Sequence, residues 1–106
     1  MILSTTDHIA GKKVVKTLGL VKGNTIRARH VGRDIAAVLR GLIGGEIREY
    51  TKLIGESREQ SIDRMIEEAR GMGGNAVIMV RFSTSQLLSG AAELLAYGTA
   101  VVVEDE

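Results

Sequence analysis

A chain of 106 residues, 44% hydrophobic and 25% charged, has the length and composition of one globular domain spanning 1–106, with no polar or repetitive stretch to act as a linker. It has no cysteine, which excludes disulfide frameworks, thiol nucleophiles and thiolate metal sites and points to the reducing cytoplasm. Net charge is +1 but uneven: residues 1–40 carry eight Lys or Arg against two Asp, and residues 41–106 carry six against eleven acidic residues, so the two parts are electrostatic complements.

The first segment, MILSTTDHIAGKK, is too poor in consecutive apolar residues for a signal peptide, and no tract is long enough to span a bilayer. Residues 2–5 and 13–21 read as β-strands, the second mixing apolar and polar positions around Val15, Leu18, Leu20 and Val21. Lys22-Gly23-Asn24 tolerates positive φ and predicts a hairpin turn, with residues 25–30 returning as a strand whose faces alternate Ile26 and Ala28 with Arg27 and Arg29. The period then changes. Ile35, Val38, Leu39, Leu42 and Ile43 predict a short helix over 32–43, ended by Gly44-Gly45.

A longer helix is predicted over 46–72, its apolar stripe running through Ile47, Tyr50, Ile54, Ser61 or Ile62, Met65 or Ile66, Ala69 and Met72. Lys52 with Glu56 and Arg64 with Glu68 set opposite charges four apart, worth a few tenths of a kcal/mol each. Gly71-Met72-Gly73-Gly74 resembles a phosphate loop only superficially: it follows a helix and precedes a strand, so it reads as a helix stop. Ala76-Val77-Ile78-Met79-Val80 and Ala100-Val101-Val102-Val103 are strands apolar on both faces. With a turn at Ser89-Gly90, residues 75–88 and 91–103 form one long hairpin, including 91–96 despite its helical propensity. The sum is an α+β fold, an antiparallel sheet with one long and one short helix.

Strands apolar on both faces need cover on the second face. Another copy of the chain would supply it, and the opposite charges of the two parts suit a head-to-tail ring; the alternative is that the short helix covers that face within one subunit.

Residues 2–6, Lys13-Val14-Val15, Leu18-Gly19-Leu20-Val21-Lys22-Gly23, Arg33-Asp34, Gly44-Gly45, Tyr50, Glu68-Ala69-Arg70, Gly74-Asn75-Ala76-Val77 and Gly98-Thr99-Ala100-Val101-Val102 occur in an order that resembles the YbjQ-type family over nearly the whole chain. The resemblance implies a two-layer, dodecin-like fold and pentameric rings. It carries a heavy-metal-binding label and implies no activity.

That label meets a sparse donor set. Soft metals take converging Cys, Met or His, and here His8 and His30 stand in separate segments, while Met1, Met65, Met72 and Met79 read as an initiator and core packing. A ring axis could still gather one His per subunit. No metal site and no cofactor is expected. Arg27, Arg29, His30, Arg33 and Arg40 concentrate positive charge at the entrance of the short helix, whose first amides add to it. Arg29, His30, Arg33 and Asp34 are therefore the candidate ligand-binding residues, for a small anion; the structural alternative is an Arg33–Asp34 pairing within or between subunits. Three aromatics and a near-neutral total count against nucleic acid.

No Ser, His and carboxylate grouping sits at a recognisable elbow, Ser83, Thr84 and Ser85 read as solvent-facing strand positions, and no enzyme activity is expected. Two classes of function remain, a ring that binds a small ligand or ion and a module that presents a surface to a protein partner, with catalysis by residues converging at a subunit interface a weaker third. Leu87, Leu88, Leu94 and Leu95 in the hairpin would suit the second.

Overall fold

The structure is a computed structural model that describes residues 1–27, 47–88 and 91–106. Within them lie β1 (Ile2–Leu3), β2 (Lys12–Arg27), α1 (Ile47–Gly71), β3 (Ala76–Leu88) and β4 (Ala91–Asp105). The four strands form one sheet in the order β1-β3-β4-β2. The expected long hairpin is present as β3 and β4, and residues 91–96 are strand. Ser89-Gly90 and the short helix over 32–43 lie outside the described residues.

Two expectations are corrected. The sheet is mixed, because β1 lies parallel to β3: the Ile2 N–H bonds to the Asn75 carbonyl, the Ser4 N–H to the Val77 carbonyl and the Val80 N–H to the Ser4 carbonyl. And Lys22-Gly23-Asn24 makes no turn. β2 runs straight through it, paired with β4 as Lys22↔Tyr97, Gly23↔Ala96 and Asn24↔Leu95.

Gly23 is needed for closeness instead, since a Cβ there would stand 2.2 Å from the Ser61 carbonyl oxygen and 2.4 Å from the Met65 nitrogen. The helix backbone rests on the strand backbone at this point. Register shifts in β2 between Val14 and Lys16 and between Thr17 and Gly19 break the alternation around Val15 and Leu18.

Along α1 the buried positions are Ser57, Ser61, Met65 and Ala69, four apart, with Ile62 and Ile66 half-buried beside them. Ile54 and Met72, expected on the stripe, are exposed at its ends; the side chains of Ile47 and Tyr50 lie outside the described residues. Arg64 and Glu68 reach across to β2, Arg64 donating to the Asn24 carbonyl and Glu68 accepting the Lys22 N–H at 3.3 Å. The glycine stop works as expected. Gly73, at φ +90°, donates to the Arg70 carbonyl and Gly74 to that of Ala69, the paired bonds of a Schellman ending. Asn75 then clamps β4, its side-chain amide donating to the Val103 carbonyl at 2.9 Å and its carbonyl accepting the Val103 N–H at 2.8 Å.

The core has two parts, one on each side of the sheet. Under α1, Val21, Met65, Ala69, Val77, Val80, Ala96 and Ala100 pack with Leu18 and Ile62. On the opposite face Ala76, Val101 and Val103 pack with Ile9 and Ile78. The second face of the apolar strands is thus covered at this end by the segment after β1, a cover the sequence reading did not foresee. Each fully buried Val contributes roughly 1.5–3 kcal/mol.

Candidate functional site

Arg29, His30, Arg33 and Asp34 all lie outside the described residues, so the geometry of the candidate anion site is not among the findings. The described residues place a polar cluster beneath α1, the exposed His8, and exposed apolar side chains on the far face of the strands.

Beneath α1 lies a buried hydroxyl cluster. Ser61 Oγ donates to the Leu94 carbonyl at 2.9 Å and so accepts from Thr25 Oγ1, also 2.9 Å away, which lies 3.2 Å from the Ser57 carbonyl. Every buried side-chain polar atom among the described residues has a partner. No histidine or carboxylate stands among these partners to activate a hydroxyl, so the cluster locks helix to strands rather than offering a nucleophile. The Ser57 and Ser61 spacing, on the buried stripe, was the signal for it.

At the surface, His8 Nδ1 lies 2.8 Å from Asp7 Oδ1, both side chains exposed. The hydrogen bond from His8, and then its charge, hold the Asp7 carboxyl below its ordinary value. The adjoining hydroxyls are used locally: Thr6 Oγ1 donates to the His8 carbonyl at 2.6 Å, and the Thr6 N–H to Ser4 Oγ at 3.1 Å. At the other end of the same segment, Lys12 bonds to Asp105, and its hydrogen bond and charge lower that carboxyl likewise.

The far face of the sheet, away from α1, is read from the cross-strand pairs Leu20–Thr99–Ile78, Asn24–Leu95–Ser83 and Ile26–Glu93–Ser85. Leu20 and Ile26 are 65% and 55% exposed there, with Leu95 and Tyr97 half-buried beside them. Leu94 faces the helix side opposite Thr25, half-buried, while the side chains of Leu87 and Leu88 lie outside the described residues. Ser83, Thr84 and Ser85 are exposed as expected.

This order of elements, with the glycine stop, the Asn75 clamp and the glycine-assisted packing, spans the chain, and residues 1–104 match the YbjQ family, described as "Putative heavy-metal-binding". The chain belongs to the YbjQ family. UPF0145 proteins of Dehalococcoides mccartyi and Halorubrum lacusprofundi are 58% and 60% identical to it over 104 and 101 residues, covering 98% and 95% of this chain and 100% and 97% of theirs. A crystal structure of a protein of unknown function from Pediococcus pentosaceus, assigned to the DUF74 family, aligns with a TM-score of 0.64 over 98% of each chain at 15% identity, a likeness of fold.

The described side chains of this YbjQ-family member do not fit the soft-metal site its family description suggests. The chain has no thiolate, Met65 is enclosed in the core, Met72 and Met79 are partly exposed, and among the described residues no three His, Asp or Glu converge. Among those residues, too, no helix is long and apolar enough to cross a membrane.

Proposed function

We propose that this protein is a non-enzymatic, cytoplasmic subunit of a closed homo-oligomeric ring, five subunits by family resemblance, that binds a small anion or ion between subunits. The uncovered far face carries the reading. At the end near Ile9 the sheet is enclosed on both sides, whereas further along β2 Leu20 and Ile26 are exposed, with only neighbouring strands beside them among the described residues. The shape agrees: a radius of gyration of 17.0 Å, against about 13 Å for a compact chain of this length, and extents of 54 × 26 × 16 Å describe a slab that gains cover by association. Complementary charge on the two parts of the sequence favours head-to-tail contacts.

Arg29, His30, Arg33 and Asp34 are the ligand residues of this reading, on the strength of their charge and their place before a predicted helix. Native mass spectrometry of protein from its own cell reads subunit number and retained ligand together. A stable, unaggregated monomer at micromolar concentration overturns the ring. In a thermal-shift screen of phosphates, nucleotides and carboxylates, a ligand at about 100 times its Kd adds about 2.7 kcal/mol, and Arg33→Ala abolishes the shift while leaving the ring intact. If no anion stabilises the protein and Arg33→Ala dissolves the ring, Arg33 is a structural partner of Asp34 and the ligand reading falls.

A further inference from the structure

The two long edges of the sheet are treated differently, and among the described residues β3 is the one left open beyond Val80. On β2 the groups pointing outward are those of Lys22 and Asn24, met by Glu68 and Arg64. Residues 21, 23 and 25 therefore bond to β4 through Gly98, Ala96 and Leu94, which turns Glu93, Leu95 and Tyr97 toward β3 and pairs them with Ser85, Ser83 and Arg81. It follows that Phe82, Thr84 and Gln86 point their N–H and C=O groups away from the sheet. The alternation agrees with what precedes it, since the outward N–H of Val80 meets the Ser4 carbonyl and the Val80 carbonyl meets the Arg81 guanidinium. Beyond Val80, among the described residues, no strand pairs with this edge.

We propose that this edge is a self-pairing interface, in which residues 82–86 of two copies join antiparallel about a two-fold axis through Thr84. Phe82 then pairs with Gln86 of the second copy and Thr84 with its own equivalent, each exchanging both backbone bonds. The sequence suits this occupant. Phe82-Ser83-Thr84-Ser85-Gln86-Leu87-Leu88 contains no charge and no proline, the two devices that keep an edge from pairing, so self-pairing opposes no like charges. A second β2 edge suits it less, because Lys22 is charged and side chains from α1 already occupy the backbone groups there. The proposal goes beyond the ring: it links chains in pairs whether or not each also belongs to a ring.

A five-residue pairing is small, so the test is covalent capture in a chain with no cysteine of its own. In the proposed register the Thr84 Cα atoms are about 5.5 Å apart and Ser83 faces Ser85 of the other copy at about 4.5 Å, both within disulfide reach. Ser83 from Ser83, and Ser85 from Ser85, are about 7–8 Å apart, beyond it. The expected result under mild oxidation is a disulfide dimer from Thr84→Cys and from a mixture of Ser83→Cys with Ser85→Cys, at least about fivefold over either serine variant alone. No capture at Thr84, as when another segment or a co-purifying peptide occupies the edge, overturns the proposal. So does equal capture at all three positions, which marks random collision. Subunit number of the unmodified protein tests the ring separately.

Discussion

β2 and β3 are the outer long strands of one sheet, yet α1 packs closely along β2 and meets β3 only around Val77 and Val80. Against β2 the helix comes within backbone contact at Gly23 and sends Arg64 and Glu68 over the strand's rim. Along β3, Val80 is buried while Phe82, two residues on, is 45% exposed. The difference teaches that one helix on a long sheet protects a strip, and that a glycine, two serines and a charged pair hold it there.

The comparison breaks hardest at Gly23. Gly23→Val puts side-chain atoms where the helix backbone stands, and the strand and helix must separate; an expected loss of about 3 kcal/mol in urea unfolding measures it. A loss under about 1 kcal/mol means that the contact is looser than described. A smaller effect belongs to the hydroxyl cluster. Ser61→Ala leaves the Leu94 carbonyl without its side-chain donor and Thr25 with only the longer bond to the Ser57 carbonyl, at about 1–2 kcal/mol, and Thr25→Val costs a similar amount. Because the two share one network, the double variant costs less than the sum; strict additivity refutes the network.

The smallest effect is in the ion pairs at the N-terminal segment. Asp7 and Asp105 have folded-state values below 3.8, so whatever stability they add is present above the unfolded value and is lost as pH falls through the folded one. Carboxyl NMR titrations are expected to show both midpoints below 3.8, and a midpoint at or above it for Asp105 removes the Lys12 contact from the account. Both pairs are exposed, which makes Asp105→Asn the mildest of these variants.

Much of this architecture was legible in the sequence where one signal had one meaning. The β3–β4 hairpin followed from two-sided apolar runs around Ser89-Gly90, and the end of α1 from Gly73-Gly74. Gly23 was misread because glycine serves both a turn and a close approach, and only the path of α1, a long-range fact, decides between them. Ser61 fell on the helix's apolar stripe, yet its role depends on Thr25 and Leu94, more than thirty residues away on either side. Asn75 was placed at the start of the hairpin, but nothing local showed that its side-chain amide continues the ladder to Val103. For the candidate ligand residues, local charge and a place before a predicted helix were the signals the sequence offered.

The pairing of β2 with β4 also sets when the molecule can form. Lys12 and Asp105 are 93 residues apart, and the whole of β2 finds its partner only in residues 91–105. During synthesis at roughly 5–20 residues per second, β2 waits roughly 5–20 seconds for that strand, while α1 can form early but has only an unpaired strand to rest on. High sequence separation of this kind slows folding, so the nascent chain holds Val14, Val15, Leu20 and Val21 exposed for most of its time on the ribosome. Lysines at positions 12, 13, 16 and 22, interspersed among them, keep that waiting segment charged.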